Sequence, residues 1–198
     1  MLPVLLRLPR ALAGALLVGA AALLGACAGV PSGAPASSPF AERVDAPFAA
    51  EGRLSARRTS DAIAVQFRWE HQPPRDELVI TSPLGQTIAE LSGDSAARSV
   101  EVRTADGRRD TAADWATLTG RVLGFPLPVA ALASWIRAAP RPGTDSTVEM
   151  DPDGRPQLLR QDGWEIVYDY ADDTSRLPRR LRIGYPDLEI RVVIDQWR

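Results

Sequence analysis

Between residues 62 and 70 the chain alternates without a break. Ile63, Val65, Phe67 and Trp69 fall on one side of an extended strand, with Gln66, Arg68 and Glu70 on the other. Residues 51–58 behave alike, setting Gly52, Leu54 and Ala56 against Arg53, Ser55 and Arg57. Further strand-like runs cover 77–82, 86–91, 99–104, 157–161, 164–170, 179–185 and 188–197. Turn dipeptides stand between many of them: Ser92-Gly93, Asp106-Gly107, Asp153-Gly154 and Asp162-Gly163. Loops this short require antiparallel neighbours, so the pattern predicts a meandering sheet. No internal repeat interrupts it.

One stretch, 111–139, changes period. Thr111-Ala112-Ala113-Asp114 resembles a capping box with Asp in the place of Glu. Trp115, Leu118, Val122 and Leu123 follow at helical spacing, until Gly124-Phe125-Pro126-Leu127-Pro128 breaks the run. Pro128 suits the first turn of a second helix, striped by Val129, Leu132, Trp135 and Ile136. Either stripe fits core packing or the wall of a ligand cavity. The class expected is α+β.

Composition narrows the chemistry. The 198 residues are 45% hydrophobic and 24% charged, normal for one globular domain. Every basic residue is Arg and the formal net charge is −2, which leaves no general electrostatic case for nucleic-acid binding. One Cys and one His exclude an internal disulfide and any multi-Cys or multi-His metal site. His71, in Glu70-His71-Gln72-Pro73-Pro74-Arg75, reads as part of an exposed turn. Asp169, Asp172 and Asp173 read as solvated carboxylates near turns rather than a hydrolytic pair. Arg176, Arg179, Arg180 and Arg182 suit the polar face of a strand, or a contact with an acidic carrier or anionic lipid. There is no Walker loop and no Gly-x-Gly-x-x-Gly segment. No catalytic residue, metal or cofactor is expected, and a monomer is.

The N-terminus decides the compartment. Arg7 and Arg10 are the only charges before Glu42, and Ala, Leu, Gly and Val fill residues 11–26. A basic start followed by an apolar run shorter than the roughly 20 residues of a membrane helix is a secretory signal. It ends Leu24-Gly25-Ala26-Cys27, which resembles a bacterial lipoprotein box with the chain's single Cys at the lipidated position. By the same resemblance Ala28, not being Asp, permits release to the outer membrane. Residues 28–39 carry no charge and are rich in Pro, Gly, Ala and Ser, as in a tether. The expected organisation is signal 1–26, lipidated tether 27–47 and domain 48–198.

Three segments together are similar to the outer-membrane lipoprotein receptor LolB family. The first is Glu51-Gly52-Arg53-Leu54-Ser55 with Phe67-Arg68-Trp69. The second is Leu78-Val79-Ile80-Thr81-Ser82-Pro83-Leu84-Gly85-Gln86-Thr87-Ile88-Ala89-Glu90-Leu91. The third is Leu118-Thr119-Gly120, then residues 124–128, then Leu132 and Trp135-Ile136. The resemblance implies an incomplete β-barrel, a curved antiparallel sheet with a helical lid over a hydrophobic cavity. It implies an outer-membrane-anchored receptor facing the periplasm. Such a receptor accepts client lipoproteins from the periplasmic carrier LolA and inserts them into the inner leaflet of the outer membrane. Its partners would be LolA, client acyl chains and outer-membrane lipid. On that reading Leu54, Ile63, Val65, Phe67, Trp69, Leu78, Ile80, Leu118, Val122, Leu132, Trp135 and Ile136 line the acyl cavity. Pro83, Leu84 and Gly85 would form a membrane-insertion loop. Leu at the third position of a Ser-Pro-Leu-Gly turn is unusual, because turn tips normally carry polar residues. From the residues alone, a lipid-anchored scaffold or a serine/carboxylate hydrolase also fits.

If Cys27 carries the anchor, Cys27→Ala should leave an unprocessed precursor or an unanchored protein. Mass spectrometry of the mature wild-type N-terminus checks this, and an unmodified Cys27 would refute it.

Overall fold

The computed structural model describes residues 40, 44, 46–59, 61–123 and 126–198. The signal, the lipoprotein box and nearly all of the tether lie outside them, as do Gly124, Phe125 and the side chains of Val122 and Leu123. Eleven strands form one antiparallel sheet. They are β1 (Phe48–Arg58), β2 (Asp61–Gln72), β3 (Arg75–Thr81), β4 (Thr87–Asp94), β5 (Ser99–Thr104) and β6 (Arg109–Ala112). After two helices, α1 (Trp115–Leu123) and α2 (Val129–Trp135), come β7 (Ser146–Met150), β8 (Pro156–Gln161), β9 (Trp164–Asp169), β10 (Arg180–Tyr185) and β11 (Leu188–Trp197). The order is β6-β5-β4-β3-β2-β1-β11-β10-β9-β8-β7. It is a meander in which the first and last strands pair at the centre. The sheet is curved but not closed, with β6 and β7 as its edges. The expected α+β class and incomplete barrel are what the chain adopts.

Period-2 alternation sets the two faces. Across β1 and β2 the register matches Phe48 to His71, Ala50 to Trp69, Gly52 to Phe67, Leu54 to Val65 and Ala56 to Ile63, so the inner set meets itself. β11 continues this face with Leu188, Ile190, Val192 and Ile194, and β10 with Leu181 and Ile183. The convex face carries the charges, as in the Arg53–Asp195 and Arg68–Glu51 pairs.

Three expectations change. β6 and β7 carry too few apolar residues for alternation to show, since Arg109–Ala112 and Ser146–Met150 have at most two each. Ser92-Gly93 is not a turn but lies within β4, and the chain reverses after Asp94. Gly93 is there for space: a Cβ on it would sit 2.4 Å from Cζ2 of Trp115. Thr111 is not a cap, because it belongs to β6. Asp114 caps α1, accepting the Thr117 amide at 2.8 Å and its hydroxyl at 3.1 Å. Those bonds hold the Asp114 carboxyl below its ordinary pKa.

The helices therefore cross the concave face from one edge of the sheet to the other. Trp115 seats the start of α1 on Gly93 of β4. Trp135, fully buried at the end of α2, donates its indole N–H to Gln161 of β8 at 2.8 Å. Arg137 ties the same end to the residues entering β1. Its buried guanidinium donates to the carbonyls of Ala133, Val44 and Ala46 and lies 4.9 Å from the Phe48 ring centroid.

The Gly93–Trp115 contact gives a stability test. Gly93→Ala should displace Trp115 and cost about 1–3 kcal/mol, as overpacking does. Urea denaturation measures it, and a cost near zero would mean that α1 is not seated there.

Candidate functional site

The two ends of the curved sheet differ. At one end lie the β2–β3 turn, the start of β1 and the end of β11, gathered around Phe48. Its ring is 5.2 Å from Trp69, 5.0 Å from His71 and 5.8 Å from Trp197, centroid to centroid. Behind this cluster Asp76 accepts the Trp69 indole N–H at 2.8 Å and lies 2.7 Å from Nδ1 of His71. His71 is thus not in an exposed turn. It is buried in β2, because its register places it on the concave face beside Phe48. Aromatic rings plug this end.

Between the plug and the other end is a cavity of about 640 Å³. Its walls include Leu54, Ile63, Val65, Phe67, Trp69, Leu78 and Ile80 from β1 to β3, with Leu118, Leu132 and Ile136 as the roof. These are ten of the residues predicted to line it. Trp135 does not line the cavity. It turns towards β8 instead, where Gln161 satisfies its indole N–H. Nothing is assigned to the Val122 side chain. The walls also contain Ile88, Ala89, Leu91 and Val102 from β4 and β5, Leu127 and Val129 from the lid, and Leu181, Ile183, Ile190 and Val192 from β10 and β11. Alternation marks these strand residues as inward-facing except Ile88, which is out of step with Ala89 and Leu91 where the β3–β4 register shifts. Only the curvature brings β10 and β11 opposite β3 and β4.

At the second end the cavity opens. Ile63 and Ile88 line it and are 36% and 43% exposed, so they form an apolar lip. The polar part of the mouth is Thr104, Arg108, Arg109 and Asp110, with Arg121 of α1. Arg121 donates to Asp110 at 2.9 Å and to the Thr111 carbonyl at 2.7 Å, fastening the lid to edge strand β6.

The β3–β4 turn projects from this open end. The Gly85 amide donates to the Ser82 carbonyl at 2.8 Å, the Gln86 amide to the Ser82 hydroxyl at 3.2 Å, and the Ser82 amide back to the Gln86 carbonyl at 2.8 Å. Gly85 has φ +83°, a left-handed conformation that glycine adopts without strain. With the turn backbone satisfied internally, the Leu84 side chain packs on nothing and is 89% exposed. The carboxylates Asp169, Asp172 and Asp173 do not line the cavity. Asp172 accepts hydrogen bonds from the hydroxyl and amide of Thr174 and the amide of Ser175, which hold its carboxyl below the ordinary range.

The family described as "Outer membrane lipoprotein LolB" matches residues 46–197, which is the whole described domain. The chain belongs to the LolB family. An outer-membrane lipoprotein LolB from Azoarcus sp. (strain BH72) is 39% identical over 199 residues, covering 97% of this chain and 98% of its own. One from Chromobacterium violaceum is 39% identical over 184 residues, covering 92% and 97%. Among solved structures, a LolA superfamily protein from Nitrosomonas europaea shares the fold with a TM-score of 0.50 at 11% identity, over 78% of this chain and 86% of that one. Membership of the LolB family makes the chain an outer-membrane lipoprotein and a lipoprotein-localisation factor, held at that membrane by lipid.

Val65 lines the cavity at mid-depth on β2. Val65→Glu should weaken binding of a fluorescent fatty acid by at least ~10-fold, about 1.4 kcal/mol, because a carboxylate in an apolar wall loses its hydration. Displacement titration on the folded variant is the measurement. Unchanged affinity would show that this wall does not take the chain.

Proposed function

We propose that this LolB-family protein accepts lipoproteins from the periplasmic carrier LolA, holds their acyl chains in the cavity and inserts them into the inner leaflet of the outer membrane. The observation that carries the reading is the pairing of an apolar cavity of about 640 Å³ with an 89% exposed Leu84 at its open end. An acyl chain gains about 0.8 kcal/mol for each methylene removed from water. It can therefore leave the cavity only for a surroundings as apolar as the cavity itself. A bilayer is such a place, and open water is not. Transfer along this route is downhill exchange and uses no bond chemistry by the receptor.

In this reading the cavity residues receive and Leu84 inserts. A Leu side chain gains roughly 1.5–3 kcal/mol on full burial, enough to engage a bilayer transiently and too little to anchor there. Pro83 and Gly85 hold the tip in its turn, and the lipid on Cys27 keeps the domain at the membrane.

Leu84→Glu separates the two steps. The side chain makes no packing contact, so stability should move by no more than about 0.5 kcal/mol. The variant should accept lipoprotein from LolA and fail to pass it to vesicles, whereas Leu84→Phe should retain much of the transfer. Thermal melting with a two-step transfer assay measures both. Loss of acceptance together with a large fall in stability would remove Leu84 from the insertion role.

A further inference from the structure

Five large hydrophobic side chains are markedly exposed among the described residues: Ile63, Leu84, Ile88, Met150 and Tyr185. The strand pairings sort them by end. The β1–β2, β3–β4, β5–β6, β8–β9 and β10–β11 turns all lie at the open end of the cavity, which takes in Ile63, Leu84, Ile88 and Tyr185. Met150, beside the β7–β8 turn, lies at the plugged end. Water-exposed apolar bulk is therefore concentrated on one rim.

Tyr185 is not a stray member of this set. It ends β10 on the concave side, in step with Leu181 and Ile183, and is 45% exposed. Its ring lies 4.7 Å from that of Trp164, tilted by 31°, and Trp164 in turn lies 5.8 Å from Trp135 of the lid helix. Its hydroxyl has no hydrogen-bond partner among the described residues. An aromatic ring packed against a neighbouring ring, with a free polar tip, suits the headgroup region of a bilayer. Four strand steps separate β3 from β10, roughly 19 Å along the sheet. A single contact at Leu84 leaves the domain free to tilt. A second contact this far along the rim holds the mouth flat against the lipid.

We propose that the open rim is a bilayer-docking face on which Tyr185 makes a second membrane contact beside Leu84. The inference rests on the functional reading above and extends it. Charge points to apolar contact at the headgroup level rather than capture of anionic lipid. Arg58, Arg108 and Arg141 on this rim are each paired with a carboxylate, Asp187, Asp106 and Asp162, at 2.7–2.8 Å, while Arg57 beside them has no ion pair among the described residues. The tether permits the orientation. Residue 46 enters the domain at the plugged end, and the stretch from Cys27 to Ala46 can extend to at most ~65 Å. The strands of β1 and β2 run only ~36–41 Å. A lipid-anchored chain can thus turn its mouth down onto its own membrane.

The test uses the full lipidated chain in phosphatidylcholine vesicles. Single cysteines are introduced as Leu84→Cys, Tyr185→Cys and Met150→Cys and labelled with a nitrobenzoxadiazole probe. Pro186→Cys, in the same turn as Tyr185, reports from that point with the tyrosine ring intact. Probes at 84, 185 and 186 should shift to the blue and be quenched by spin-labelled phosphatidylcholine, with the same response when anionic lipid is added. The probe at 150 should do neither. Quenching at 84 but not at 185 or 186 overturns the second contact and leaves the insertion tip standing. Quenching at none of the three sinks both. A response at 185 that requires anionic lipid overturns the apolar contact proposed here.

Discussion

Among the described residues, two helices of nine and seven residues cover the concave face of eleven strands. That shortage of cover governs the molecule. A sheet with one apolar face must bury it against another layer, and this sheet has no second sheet to meet. The single crossover from β6 to β7 has to supply the whole layer. It succeeds at its ends, where Trp115 fits over Gly93 and Trp135 reaches Gln161. Between those points the lid leaves the cavity of about 640 Å³ beneath it. In the proposed role, the area that folding leaves uncovered is the area an acyl chain covers.

The same constraint gives the site a direction. Phe48, Trp69, His71 and Trp197 fill one end with rings, and Asp76 satisfies the polar atoms that this packing buries. Arg137 then binds the lid to that end through the backbone carbonyls of Val44 and Ala46. At the other end Arg121 makes the corresponding fastening to β6, but it sits at a wet, charged mouth where ion pairs contribute little.

Much of this was legible before any coordinates. Alternation placed nine of the eleven strands and assigned Leu54, Ile63, Val65, Phe67 and Trp69 to one face, because a period of two follows from strand geometry alone. The oddity of Leu at a turn tip was also visible, since the Pro and Gly around it fix the turn whatever lies beyond. β6 and β7 were hidden because short edge strands carry no apolar pattern. His71 and Gly93 were misjudged for a related reason. Next to Pro73-Pro74 a histidine looks like turn chemistry, and Gly after Ser looks like a reversal, yet both obey register and contact with distant residues.

The sequence by itself determined the lipoprotein start, the meander, the inward-facing residues and the exposed turn, all of which depend on neighbours within a few positions. Tertiary structure alone decided that these residues enclose a space rather than fill it. That outcome depends on how far eleven strands curve and how little two short helices reach, which are long-range quantities. Trp135 marks the boundary between the two. Its helical stripe fitted core packing or a cavity wall equally, and a hydrogen-bond acceptor 26 residues away decided for the core.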